Sequence, residues 1–343
     1  MLLKDILSWM RHTLQTVTLK QDSELASVTV QIAGVPIEIL SNEPNLLLDY
    51  RNRWCGDMST CVPRARIFVL AGATQIQTIP SFSIAELAPT EFHEGLAAED
   101  IIASYPSVKG QMQFMDRRKR IAIHIFGSHA DLPIWEASAP LRLPFQWILA
   151  QENQRLAHAA AIGINDKGLV LFGKGGSGKS GATLAALAVG MNTVGDDYIA
   201  LGLGNKPFAR AVFNHVKQDD DGIDRIPGLR QRLGHIVKNW RGKAEFRPEL
   251  FYTDSFVNEM NIYAAVMPSI ALGVKPCIKQ VSPADALLAL ISSNTQYDPL
   301  RPDGGLGFFA DFLRKIPCYR IDLSNNAIDN GLALKALLAE LNE

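Results

Sequence analysis

The feature that most constrains this chain is one octapeptide, Gly173-Lys174-Gly175-Gly176-Ser177-Gly178-Lys179-Ser180, which fits the pattern G-x-x-x-x-G-K-[ST] at every position. Its glycines let the backbone curl until several N–H groups point inward at phosphate oxygens. A helix opening directly behind them adds the positive end of its dipole. Lys179 supplies a point charge for the outer phosphates, and the Ser180 hydroxyl supplies a ligand for Mg²⁺. The flanking sequence agrees. Leu169-Val170-Leu171-Phe172 reads as a short buried strand, and Gly181, Ala182 and Ala185 keep the following helix slim enough to pack closely. A strand, a glycine-rich loop and a helix in that order predict an α/β core that binds a nucleotide.

A second signal follows at Gly195-Asp196-Asp197-Tyr198. Asp196 lies 17 residues after Lys179, room for one helix, one turn and one strand, so the pair is expected to return beside the loop. Adjacent carboxylates repel, and burying them together needs a cation. A regular strand sends neighbouring side chains to opposite faces, so both serve one site only if the backbone bends, which Gly195 permits. One carboxylate is then expected to hold Mg²⁺ and the other to accept the proton of an attacking hydroxyl. Upstream, Leu156 to Ile164 is an apolar run containing His158. With the polar turn Asn165-Asp166-Lys167-Gly168 it predicts a hairpin whose first strand carries His158 beside the strand feeding the loop.

The rest of the chain supplies context. Residues 1–135 read as an α+β accessory domain for substrate or partner contact, and residues 136–343 as the catalytic domain. Leu3, Ile6, Leu7 and Met10 follow helical spacing. Ser27–Ile32, Arg66–Leu70 and Arg120–Ile125 read as strands, and Leu141–Gln151 as a helix. Asp219-Asp220-Asp221 is read as a solvated loop. With 34 basic and 35 acidic residues the formal net charge is -1, which excludes a dedicated nucleic-acid binder. No apolar run reaches the ~18 residues of a spanning helix, so no membrane partner is expected. Cys55, Cys61, Cys277 and Cys318 form no CxxC pair and read as reduced, mostly buried thiols of a cytoplasmic protein.

The histidine strand, hairpin, phosphate loop and early Asp-Asp pair together resemble the HPr kinase/phosphorylase family and, more distantly, the phosphoenolpyruvate carboxykinases. The resemblance covers roughly residues 140–330. Within it the chain is most similar to HPr-kinase-related peptide and protein serine kinases, including those acting on lasso-type precursor peptides. It implies an α/β P-loop kinase core with a mixed sheet flanked by helices, using ATP and Mg²⁺. It implies Asp196 as catalytic base, Asp197 as the Mg²⁺ partner and His158 as the family's active-site histidine. Val281–Leu287 and Ile316–Arg320 resemble its later helix and terminal strand. HPr kinases assemble into hexamers, which implies self-association. The Glu-Ile-Arg-Gly type signature of HPr kinases is not found, which argues against HPr as substrate and against the reverse reaction.

Lys217, Arg241 and Lys243 are the candidate further phosphate contacts, the last two on the segment Trp240-Arg241-Gly242-Lys243. The function expected is transfer of the γ-phosphoryl of ATP to a hydroxyl, a serine or threonine being the natural acceptor, on a peptide, protein or small molecule. The alternative is a nucleotide-binding regulator or scaffold without transferase activity. Carboxykinase chemistry ranks below both, because no oxyacid-binding arginine array accompanies the loop.

Overall fold

A computed structural model describes residues 3–19, 25–56, 58, 60–72, 89–104, 110–236, 238–271, 273, 275–294 and 305–341. The chain divides into two compact units, one ending at Glu152 and the other beginning at Asn153. Both mix helices with sheets, and the class is α/β.

The first unit contains α1 (Leu3–Leu19), β1 (Ala26–Ile32), β2 (Val35–Ser41), α2 (Pro44–Arg51), β3 (Ala65–Ala71), α3 (Pro89–Ala97), β4 (Ile101–Ala103), β5 (Gln111–Asp116), β6 (Ile121–Phe126) and α4 (Arg142–Gln151). Its six strands run in the order β1-β2-β3-β6-β5-β4. The β2–β3 and β3–β6 pairs are parallel and the others antiparallel. The apolar stripe of α1 (Ile6, Trp9, Met10, Leu14 and Val17) packs on this sheet against Leu40, Phe68, Leu70 and Phe114, as the spacing at its start predicts.

The division between the units falls later than the expected 135/136. The cause is polar. The buried Glu136 carboxylate accepts from Gln113 Nε2 at 3.0 Å and from the Leu141 N–H at 2.9 Å. Helix α4 packs on β5 and β6, and Glu152 at its end pairs with Arg120 and, at 2.8 Å, with Arg64. The chain from 136 to 152 therefore belongs to the first sheet.

The second unit contains β7 (Gln154–Ala157), β8 (Ala160–Ile164), β9 (Lys167–Leu171), α5 (Lys179–Ala188), β10 (Asn192–Gly195), β11 (Ile199–Leu203), β12 (Pro207–Arg210) and β13 (Val216–Gln218). There follow α6 (Asp220–Asp224), α7 (Leu229–Leu233), β14 (Ala244–Phe246), β15 (Glu259–Ile270), β16 (Cys277–Val281), α8 (Pro283–Asn294), α9 (Leu306–Arg314), β17 (Cys318–Leu323) and α10 (Ala327–Glu340). Its nine-stranded mixed sheet follows the path β10-β8-β9-β15-β12-β11-β7, with β17 on β15 and β16 on β17. A separate ribbon pairs β13 with β14. Helix α5 is buried on both sides. Ala182 and Ala186 face the sheet and α10, while Leu184 and Leu187 face Val216 of the ribbon, Ile223 and Phe246.

Three further expectations need correction. The run Leu156–Ile164 is not one strand. It breaks at His158 and Ala159 into β7, which pairs β11, and β8, which pairs β9 and β10. The hairpin itself is present as β8–β9. The Asp219-Asp220-Asp221 cluster is not a loop. Asp219 caps α6 by accepting from the Gly222 N–H at 2.9 Å, and the next two aspartates sit in the first turn, where negative charge suits the dipole. Of the four cysteines only Cys318 is buried; Cys61 and Cys277 are exposed.

Helix α10 lies close on α5 because Gly331 has no side chain. A methyl group there would stand 2.2 Å from the Ala185 carbonyl oxygen, which is backbone and cannot rotate away. Gly331→Ala is expected to force the helices apart and to destabilise the fold by about 1–3 kcal/mol, read as a lower urea midpoint. An unchanged midpoint would show that the helices separate freely.

Candidate active site

The loop between β9 and α5 takes the shape its glycines allow. Gly173 sits at φ +152°, where a side chain would meet Ser177 Oγ at 2.9 Å. Gly178 caps α5 at φ +104°, with Leu323 close behind it. Lys174, Gly175 and Gly176 are exposed. Lys179 is 7% exposed, and its ammonium donates to the Gly173 carbonyl at 2.7 Å. Burial lowers its pKa. The Asp196 and Asp197 carboxylates oppose that shift, and the charge of Lys243 adds to it. The Ser177 hydroxyl is buried without a hydrogen-bond partner.

The carboxylates arrive by the predicted route through α5 and β10. The register of β10 on β8 slips between Thr193 and Gly195. The Thr193 hydroxyl fills the slip, donating to the Ala161 carbonyl at 2.7 Å and accepting from the Gly195 N–H at 3.0 Å. The backbone then bends, with Gly195 at φ +148° and Asp197 at φ +79°. The two side chains consequently serve different surroundings.

Asp196 is 2% exposed. Its Oδ2 accepts from the Lys217 N–H at 3.3 Å, while Oδ1 has no hydrogen-bond partner. Burial raises its pKa, the charge of Asp197 raises it further, and the Ser180 hydroxyl, the Lys217 N–H and Lys179 oppose the rise. Asp197 is half-buried. Burial alone would raise its pKa too, but the hydrogen bond from His158 and the charge of Lys217 hold it well below the usual carboxylate range. His158 Nε2 lies 2.9 Å from Oδ1, and Lys217 Nζ lies 2.6 Å from Oδ2.

His158 reaches Asp197 from the bend between β7 and β8. There the Ala159 N–H donates back to the Ala157 carbonyl at 2.9 Å, a three-residue turn centred on the histidine. Its ring lies 5.4 Å from that of Tyr198. Lys217 comes from β13. Lys243 precedes β14, on the loop closed by the Asn239 N–H to the Lys243 carbonyl at 2.8 Å. Arg241, on the same loop, is exposed, with its guanidinium 4.4 Å over the Trp240 ring. Of the three candidate basic residues, one thus reaches a carboxylate, one acts on Lys179 and one faces solvent. Two polar side chains went unforeseen. Asn294 touches both backbone groups of His158, and the Ser293 hydroxyl donates to the Gly173 carbonyl at 3.2 Å. They sit at the C-terminal end of α8, beyond the stretch Val281–Leu287 that carries the resemblance.

Among the described residues no three His, Cys, Asp or Glu side chains group to hold a metal. The donor set is nevertheless that of a hard cation. A buried carboxylate oxygen with no partner stands in the environment of the Ser180 hydroxyl. Mg²⁺ commonly takes only one or two protein carboxylates and completes its shell with water and phosphate.

No protein-family model matches the chain, and no curated protein is similar to it in sequence. Among solved structures it is similar to the Hpr(Ser) kinase/phosphatase from Coxiella burnetii, at 16% identity, over 54% of this chain and 99% of that one, with a TM-score of 0.29. A likeness this low says nothing of what the chain binds or does. Among the described residues no helix is long and apolar enough to cross a membrane.

A carboxylate whose pKa is raised on folding makes the fold more stable when protonated, and that stability is lost as pH rises through the folded pKa. Asp196→Asn is therefore expected to raise Tm at neutral pH, with the gain shrinking as pH falls toward the ordinary carboxylate range. Thermal melts of both proteins across pH 3–8 check this. A variant less stable at pH 7 would overturn the assignment of burial as the dominant cause.

Proposed function

We propose that the chain is an ATP- and Mg²⁺-dependent kinase that transfers the γ-phosphoryl group to a hydroxyl of a peptide, protein or small molecule. The observation that carries this reading is the second carboxylate. One acid beside the loop serves a metal. A second acid, turned outward by a positive φ and gripped by a histidine, exceeds what nucleotide binding needs.

The loop N–H groups, the α5 N-terminus and Lys179 would bind the phosphate tail. Ser180 and Asp196 would hold Mg²⁺, which when bound neutralises phosphate charge. This division exchanges the roles that the family resemblance implies for the two aspartates. It is supported by the burial of Asp196, its unpartnered Oδ1 and its proximity to Ser180. Asp197, a quarter exposed, would accept the acceptor's proton. In the transfer, the acceptor oxygen forms a bond to the γ-phosphorus and the bond from that phosphorus to the β,γ-bridging oxygen breaks. ADP leaves, and the hydroxyl proton passes to Asp197. A loose transition state asks little of the base, so a carboxylate held at low pKa suffices. His158 orients it, and Lys217 keeps it ionised.

Calorimetry with Mg-ATP and transfer of labelled phosphate to candidate serine- or threonine-bearing peptides test the reading. Lys179→Ala is expected to weaken nucleotide binding by at least about tenfold. Asp197→Asn should bind Mg-ATP normally yet transfer at least about 100-fold more slowly, whereas Asp196→Asn should lose the magnesium dependence of binding. Normal transfer by Asp197→Asn would refute the base. Wild-type binding without transfer to any hydroxyl would point instead to a nucleotide-sensing regulator.

A further inference from the structure

The end of α8 reaches the site from a distant part of the chain. Asn294 Oδ1 accepts from the His158 N–H at 2.5 Å, and Asn294 Nδ2 donates to the His158 carbonyl at 3.4 Å. One residue earlier, the Ser293 hydroxyl donates to the Gly173 carbonyl at 3.2 Å. We infer that Ser293 and Asn294 form a positioning clip that holds the His158 bend and the first residue of the phosphate loop in register with each other. The inference rests on the kinase reading above for its functional meaning.

The bend needs such a clip. β7 and β8 depart to opposite ends of the sheet path, so His158 belongs to neither ladder. A buried peptide group without a partner is costly. A carboxamide offers one acceptor and a donor side by side, the same pair that a neighbouring strand would present. Its orientation is forced, because only Oδ1 can face the His158 N–H. Nδ2 also donates to the Leu290 carbonyl at 3.0 Å, within the same helix, so the carboxamide is itself held in place. Because the His158 ring reaches Asp197 from this backbone, an error in the bend becomes an error at the carboxylate.

Ser293 acts on the loop. The Gly173 carbonyl accepts from both Lys179 Nζ, at 2.7 Å, and the Ser293 hydroxyl. A lysine that turns toward a phosphate must leave that carbonyl. Ser293 keeps the carbonyl satisfied when it does and so eases the move. Neither residue touches the carboxylates, and both are positioning residues.

The test uses the full chain with ¹³C-labelled histidine. His158→Gln identifies the His158 resonance among those of the seven histidines. Asn294→Ala is expected to move that resonance and leave the others in place, and Asn294→Asp, which keeps the acceptor, to move it less. Ser293→Ala should move it less than Asn294→Ala does, since the Ser293 hydroxyl also accepts from Asn294 Nδ2 at 3.2 Å, and should weaken Mg-ADP binding about fivefold, the worth of one hydrogen bond. In turnover, Asn294→Ala should lower kcat about tenfold with KM for ATP unchanged, and should cost nothing further when His158→Gln is already present. An unmoved His158 resonance in folded Asn294→Ala, or an undiminished effect in the His158→Gln background, would overturn the clip. If wild-type protein binds no Mg-ADP, the nucleotide reading fails, while the resonance still decides whether Asn294 positions His158.

Discussion

Two short links carry the chain between the ends of one sheet, and the candidate site lies in them. His158 and Ala159 join β7 to β8; Asp196, Asp197 and Tyr198 join β10 to β11. In the sheet path, β10 and β8 stand at one end and β11 and β7 at the other. A chain spans at most about 3.5 Å per residue, and strands lie about 4.8 Å apart, so neither link can cross a flat sheet of this width. The sheet has to curl until its ends approach. Since β7 pairs β11 and β8 pairs β10, the two links then run side by side. The approach of His158 to Asp197 is a consequence of this topology. The glycine-rich loop, leaving β9 next to β8, opens beside the same links.

The electrostatics follow from which carboxylate each cation can reach. Asp197 turns outward and meets both His158 and the Lys217 ammonium. Asp196 points inward and receives from Lys217 only a backbone N–H. Lys179 stays on the Gly173 carbonyl. The result is one carboxylate well matched by donors and one deficient in them, next to each other in sequence. Lys217 contacts both, through its main chain and its side chain. It stands on a ribbon packed against α5 through Val216 and Phe246, and Lys243 immediately precedes the second strand of that ribbon. The elements that bear on the two carboxylates are therefore mechanically joined to the helix that starts at Lys179.

How much of this was legible in the sequence depends on how local each signal is. The strand, the glycine-rich turn, the helix after it and the return of the aspartates could all be read, because glycine conformation and chain reach act over short stretches of chain. The β8–β9 hairpin was legible in its polar turn. The break at His158 was not. Leu156, Ala157, Ala159 and Ala160 flank it with apolar residues and no glycine or proline, and the break is imposed by strand partners that lie elsewhere in the chain. The cap at Asp219 did carry a local signal, an aspartate before a short helix, which the run of negative charge obscured. The end of the first unit depends on the buried carboxylate of Glu136, whose partners Gln113 and Leu141 no periodicity reveals. Asn294 lies 136 residues from the histidine it holds, beyond the reach of any spacing rule.

The unpartnered oxygen of Asp196 bears on whether the site is structural. A buried polar atom left without a hydrogen bond costs on the order of 1–3 kcal/mol, more when charged. An asparagine there would still offer an oxygen to the Lys217 N–H and would bury no charge. Stability alone would therefore not place a carboxylate here. Nor would it add Asp197 beside it, whose charge raises the cost and whose backbone sits at φ +79°, a conformation that non-glycine residues adopt at some strain. Both departures lie within one turn, beside the glycine-rich loop; the Ser180 hydroxyl, the Lys217 N–H and the charge of Lys179 partly offset the first, and His158 and Lys217 offset the charge of the second. The deficit is therefore confined to the unpartnered oxygen of Asp196, since His158 and Lys217 already match Asp197.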